Sequence, residues 1–112
     1  NDLIMKNMDA YQDSLCILTD MINFCLERGF KPVLTIPPIS KQLLIYITPA
    51  MRQFFIYDFV EKANVKKVPF LDYMNDHEFA ENSRLFMNSL FLNRDGAVLF
   101  TKKILRDIKK VR

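Results

Sequence analysis

The chain has 112 residues, half of them hydrophobic and 26% charged, with a net charge of +3. That composition suits one small globular domain over residues 1–112, with no disordered tract and no apolar run near the roughly 20 residues that span a bilayer. With two glycines, two cysteines and one histidine, glycine-rich phosphate loops are excluded and zinc has no ligand set, so neither cofactor nor metal is expected.

The opening residues, NDLIMKNMDAYQD, lack the basic start and apolar core of a secretion signal. A start at Asn1 rather than Met fits a piece of a longer protein, which leaves the compartment open. Residues 8–28 read as an amphipathic helix. Tyr11, Leu15, Leu18, Ile22 and Cys25 form its stripe, widened by Met8, Met21 and Phe24, with Asp13, Asp20, Asn23 and Glu27 outside it. Cys16 and Cys25 lie about 13 Å apart along that helix at 1.5 Å per residue, too far to bridge. Gly29 ends the helix.

Val33 to Ile36 is a short β-rich run between prolines, a strand that ends at a loop. Helix, glycine turn and apolar strand make the rhythm of an α/β fold with a parallel sheet. Lys41 to Ile47, KQLLIYI, fits a helical turn, a strand or an apolar lid, because seven residues do not separate these periods. Thr48-Pro49 is a helix start. That helix runs to about Ala63 through Met51, Phe54, Phe55, Phe59 and Val60, an aromatic content that implies burial on more than one side, and Asn64 ends it.

Val65 to Tyr73 reads as the next strand, centred on Phe70 and Leu71. Pro69 either places it at an edge or delays pairing until after it. Two strands joined by a helix form a right-handed βαβ unit. Met74 to Ser83 reads as a polar loop holding His77. Asn93 or Asp95 then caps a last helix that Gly96 opens, with Ala97, Phe100, Ile104, Ile108 and Val111 on one face. Residues 101–112 hold six of the 16 basic side chains against Asp107 alone. A basic helix can bind phosphates or an anionic surface. As the solvated face of a terminal helix these charges imply no nucleic-acid partner.

Residues 84–101, RLFMNSLFLNRDGAVLFT, resemble the last block of the SGNH, or GDSL-type, esterase and lipase family. Phe86 stands at the aromatic position, Leu92-Asn93 at the Leu-Asn pair and Gly96 at the glycine, with Phe100 and Thr101 in the helix that follows. GFKPVLTIPPIS, residues 29–40, resembles the family's approach to its fourth strand, and Asp72 a position just after the fifth. The resemblance covers the C-terminal half of the domain. It implies a partial flavodoxin-like SGNH-hydrolase fold, a short parallel sheet flanked by helices, in a carboxylic ester hydrolase lineage.

The family's catalytic Asp and His positions are occupied by Asn88 and Phe91. A phenyl ring accepts no proton, and an amide supplies no negative charge to an imidazolium. The nucleophile's Gly-Asp-Ser and the oxyanion Gly-x-Asn are also absent. Of Ser14, Ser40, Ser83 and Ser89, only Ser40 follows a strand end, and it has neither flanking glycine nor base. His77 reads as an exposed loop histidine, Asp72 as a loop cap, and Asn88 as a bond to loop backbone. No catalytic residue is intact, so the chain is expected to be an inactive acylhydrolase half, with an acyl-ester substrate only if the rest of the domain is present. The alternative is a non-catalytic binding or assembly module. In both cases the 33–36 strand has an open edge, to be covered by a missing N-terminal half or by a second copy in a homo-oligomer.

Overall fold

The computed structural model describes residues 2–112. It is helix-rich with one short parallel sheet, and the chain divides into two compact units, residues 2–32 with 49–68 and residues 33–48 with 69–112. Among the described residues no helix is long and apolar enough to cross a membrane.

In the first unit, α1 (Asp2–Glu27) begins well before the apolar stripe does. The stripe marks where a helix is covered, not where it starts. Leu15 and Ile22, two turns apart, are the buried positions,. The hydroxyls of Ser14 and Thr19 donate to carbonyls one turn back, Ala10 at 2.9 Å and Leu15 at 2.8 Å. The helix ends in a Schellman motif: Gly29 takes φ +78°, its N–H reaches Leu26 O at 3.1 Å, and the Phe30 N–H reaches Cys25 O at 2.9 Å,.

The second helical segment of this unit runs from Pro49 to Ala63 as α3 (Pro49–Arg52), a π-helical stretch (Gln53–Asp58) and α4 (Phe59–Ala63). Tyr11 stacks on Phe54 at 5.3 Å between ring centroids and meets Phe59 edge-on at 5.5 Å. The expected burial on more than one side does not occur, since Met51, Phe54 and Phe55 are all exposed, Phe55 by 60%. A unit of two helical segments covers one face of each, and the π turn spreads the aromatics beyond that face. Asn64 closes the segment: its Oδ1 accepts the Val68 N–H at 2.9 Å and its Nδ2 donates to Val68 O at 2.8 Å.

In the second unit, β1 (Leu34–Ile36) and β2 (Phe70–Asp72) pair in parallel, Leu34 opposite Phe70. The strand expected over residues 65–73 keeps only its last part. Lys67 at φ +55° breaks the extended run, and Pro69 offers a carbonyl to the Leu34 N–H at 2.8 Å but has no N–H of its own,. Residues 41–47 resolve as a helical turn, α2 (Lys41–Leu44), followed by a hydrogen-bonded turn.

The polar loop expected over residues 74–83 needs correction. It holds α5 (His77–Ala80) and leads into a 3-10 turn (Ser83–Leu85), and it carries Phe79, the one large aromatic that is wholly buried among the described residues. The Asp76 carboxylate caps α5 by accepting the Glu78 N–H at 3.0 Å,. One aromatic among polar residues has no period to recognise. The last helix, α6 (Arg94–Val111), brings Phe100 to the edges of Tyr73 and Phe79, at 5.2 and 5.8 Å.

Candidate functional site

Between the 3-10 turn and α6 the chain folds back on itself. Phe86 and Leu92 form an isolated antiparallel bridge, and the Met87 N–H donates to Phe91 O at 2.9 Å. Asn88 shapes the tip, its Oδ1 accepting the N–H groups of Leu90 and Phe91, each at 2.9 Å. This is the Asx geometry that lets a short polar side chain replace a backbone turn. Asn93 locks the base of the loop. Its backbone N–H donates to Leu85 O at 2.8 Å and its Nδ2 to Arg84 O at 2.5 Å, while its Oδ1 caps α6 by accepting the Gly96 N–H at 2.9 Å. The cap is therefore Asn93, not Asp95.

Gly96 is buried in the first turn of α6. A Cβ there would collide with the backbone carbonyl of Leu85 and lie 2.9 Å from Leu92 Cδ2. The spacing of Leu92, Asn93 and Gly96 is thus a packing solution: a cap, a tether to the preceding turn, and no side chain where two backbones meet.

This loop forms one wall of a cleft of about 480 Å³, completed by Ser40, Lys41 and Gln42 just beyond β1 and by Ala80, Glu81 and Ser83. Ligands of open α/β sheets settle at the carboxyl ends of strands, which is where this cleft lies. Ser40 is buried, and both its N–H and its Oγ donate to Ser89 O, at 3.2 and 3.0 Å. Its proton goes to a carbonyl and not to a base, so the hydroxyl anchors the loop instead of attacking a substrate.

The structure gathers Ser40, Ser83, Asn88 and Ser89 on one cleft and leaves the other candidates outside it. Ser14 lies in the first unit. Phe91 is 56% exposed and does not line the cleft. The His77 side chain is 87% exposed, with Nδ1 3.8 Å from Glu81 one turn on. Asp72 accepts the Met74 N–H at 2.9 Å, which is a loop cap. Among the described residues no group of three or more His, Cys, Asp or Glu side chains is placed to hold a metal ion. What the cleft offers a ligand is hydroxyls, amides, one lysine and one glutamate beside Phe86 and Met87.

Searches of protein-family models, of curated proteins and of solved structures found no match to the chain.

Two polar clusters pin α6 to the rest of this unit. The Lys103 ammonium donates to Asp76 at 2.5 Å and to Glu78 at 3.1 Å, and the Tyr73 hydroxyl donates to Asp107 at 2.7 Å. The bond to Asp76 holds Lys103 above its ordinary pKa. Burial, and then the bond to Asp107, push Tyr73 up to about 12. Both shifts lead away from neutrality, so neither group becomes an acid or base for chemistry at pH 7. Sequence reasoning missed both clusters, because Lys103 lies 27 residues from Asp76 and Tyr73 34 from Asp107, beyond any local pattern.

The raised values fix the sign of a pH effect. A phenol or ammonium whose folded pKa exceeds its unfolded one contributes stability that is complete below the unfolded pKa. That stability is lost as pH climbs through the folded pKa, here from near 10 to about 12 for Tyr73. The Tyr73 contribution is on the order of 2 kcal/mol. Urea midpoints of the wild type should fall between about pH 10 and about pH 12, the window between the unfolded and folded phenol,, and Tyr73→Phe should flatten that fall. An equal slope in both proteins would contradict the assignment.

Proposed function

We propose that the chain is the C-terminal half of an SGNH-type acylhydrolase domain, a partial flavodoxin-like fold, and that as it stands it binds and assembles without hydrolysing esters. The observation that carries this reading is the loop tip. Asn88 stands where the resemblance places the triad carboxylate, and its Oδ1 is already committed to two backbone N–H groups. Position 91 carries a phenyl ring, and no imidazole lines the cleft. Support for the lineage comes from the parallel β1–β2 pair, the Asn93 cap with the Gly96 close approach, and the cleft beyond β1.

Assembly follows from the sheet. Leu34 N–H bonds to Pro69 O and Tyr73 N–H to Ile36 O, which turns the backbone groups of Thr35 toward the other edge of β1. A parallel strand with an open edge is a pairing site, filled by a further strand from an N-terminal half or from a second copy.

Light scattering and p-nitrophenyl acetate and butyrate hydrolysis on one sample test both parts. The expected result is a dimer with no turnover above buffer. The double variant Asn88→Asp with Phe91→His should also show none, because it restores a base and its orienter without a nucleophile. Asn88→Asp alone should shift stability by less than about 0.5 kcal/mol, since a carboxylate accepts the same two N–H bonds. Turnover that a serine-directed phosphonate abolishes would overturn the non-catalytic reading.

A further inference from the structure

The outer face of α6 carries a second surface, independent of the cleft. Arg94, Val98, Lys102, Leu105, Lys109 and Arg112 follow one another at steps of three and four, which at about 100° per residue confines them to an arc of about 80°. All six are exposed, Val98 by 49% and Leu105 by 57%. The opposite side of the helix holds Phe100 against Tyr73 and Phe79, and the ion pairs of Lys103.

Charge is concentrated in the same place. Residues 94–112 hold seven basic side chains and two acidic ones, whereas residues 1–93 hold nine and eleven. Arg106 and Lys110 approach Asp107 at 3.8 and 4.0 Å, but Lys102 and Lys109, on the outer stripe, form no ion pair with described residues. Of the two acids, Asp107 is turned inward to Tyr73. Asp95 stands only at the edge of the stripe, in the first turn, where the helix dipole favours it.

A purely solvated face needs no aliphatic side chains, and a purely apolar seam would not alternate them with lysine. A cover for this stripe must supply negative charge along its whole length and still accept Val98 and Leu105. An anionic lipid surface does both, taking basic side chains at its headgroups and aliphatic ones at the acyl boundary. We propose that the outer face of α6 docks the chain on an anionic bilayer surface, with the helix lying in the plane of the headgroups. This goes beyond the reading of the cleft and does not depend on it.

The test is co-sedimentation of the full chain with vesicles of phosphatidylcholine alone and of phosphatidylcholine with an equal part of phosphatidylglycerol, at rising salt. Binding is expected to the anionic vesicles only, and to weaken as salt screens it. Lys102→Gln with Lys109→Gln should lower the partition coefficient roughly 25-fold, from about 1 kcal/mol per basic residue at such a surface. Leu105→Ser should weaken binding without changing its salt slope. Lys66→Gln with Lys67→Gln, in the other unit, should change nothing, and circular dichroism confirms that each variant is folded. Equal binding to both vesicles, no binding to either, or a control that loses as much as the stripe variant would overturn the proposal. So would retention of a DNA duplex, or self-association through this face, without vesicle binding.

Discussion

Gly96→Ala is expected to lower the unfolding free energy, read from urea melts, by about 2 kcal/mol, although alanine is the better helix former by roughly 1 kcal/mol. The added methyl would meet a backbone carbonyl, that of Leu85, and not the yielding end of a side chain. That oxygen also accepts the Asn93 N–H at 2.8 Å, so it cannot retreat without breaking the bond that sets the start of α6. Overpacking typically costs about 1–3 kcal/mol. An immovable neighbour puts this site at the upper end, and the steric term outweighs the propensity gain. Gly29→Ala is the control. That position meets nothing within 4 Å but holds φ +78°, so its cost should be the left-handed backbone penalty alone, about 1–2 kcal/mol. A Gly96→Ala protein as stable as the wild type would mean that Asn93 and Leu85 do not hold the loop base as described.

The same loop shows what a sequence reveals and what it hides. Asn93 and Gly96 were readable because a cap and a close approach act within a few residues of each other, and the Schellman end at Gly29 for the same reason. Helix α6 was readable by period, but only on its inner face. Phe100, Ile104 and Ile108 form a stripe, while Val98 and Leu105 disappear into a run of lysines. The loop around Phe79 reads as polar in the sequence because a lone aromatic has no period. Phe54 and Phe55 failed in the opposite direction: hydrophobic composition says that a side chain gains by being covered, and only the surroundings decide whether a cover is present. Strand β2 came out shorter than its β-rich composition because Lys67 turns the backbone before pairing starts. Within the cleft, the backbone bonds of Asn88 were readable, because an Asx turn acts within three residues. Ser40 as a loop anchor was not, since its partner Ser89 lies 49 residues away.

Phe79→Ala should be the most damaging truncation among the described side chains. Phe79 has no exposed surface, and its ring meets the edge of Phe100 at 5.8 Å. Deleting a buried phenylalanine typically costs about 3–5 kcal/mol, transfer and cavity terms together. Small domains hold about 5–15 kcal/mol in all, so the variant would use up much of the margin. The loss should be local first. Helix α5 is a single turn, held by the Asp76 cap, the Lys103 ion pairs and the buried Phe79 ring. Without the ring, the Asp76 cap and the two Lys103 ion pairs alone are left to order residues that form one wall of the cleft, Ala80 and Glu81. Amide exchange should therefore speed up across residues 76–85 before α6 loosens. Phe55→Ala is the matched comparison, because its ring is 60% exposed and its removal should cost less than about 1 kcal/mol. If the two variants melt together, the core of this unit does not lie where Tyr73, Phe79 and Phe100 meet, and the cleft loses the support that gives it a fixed shape.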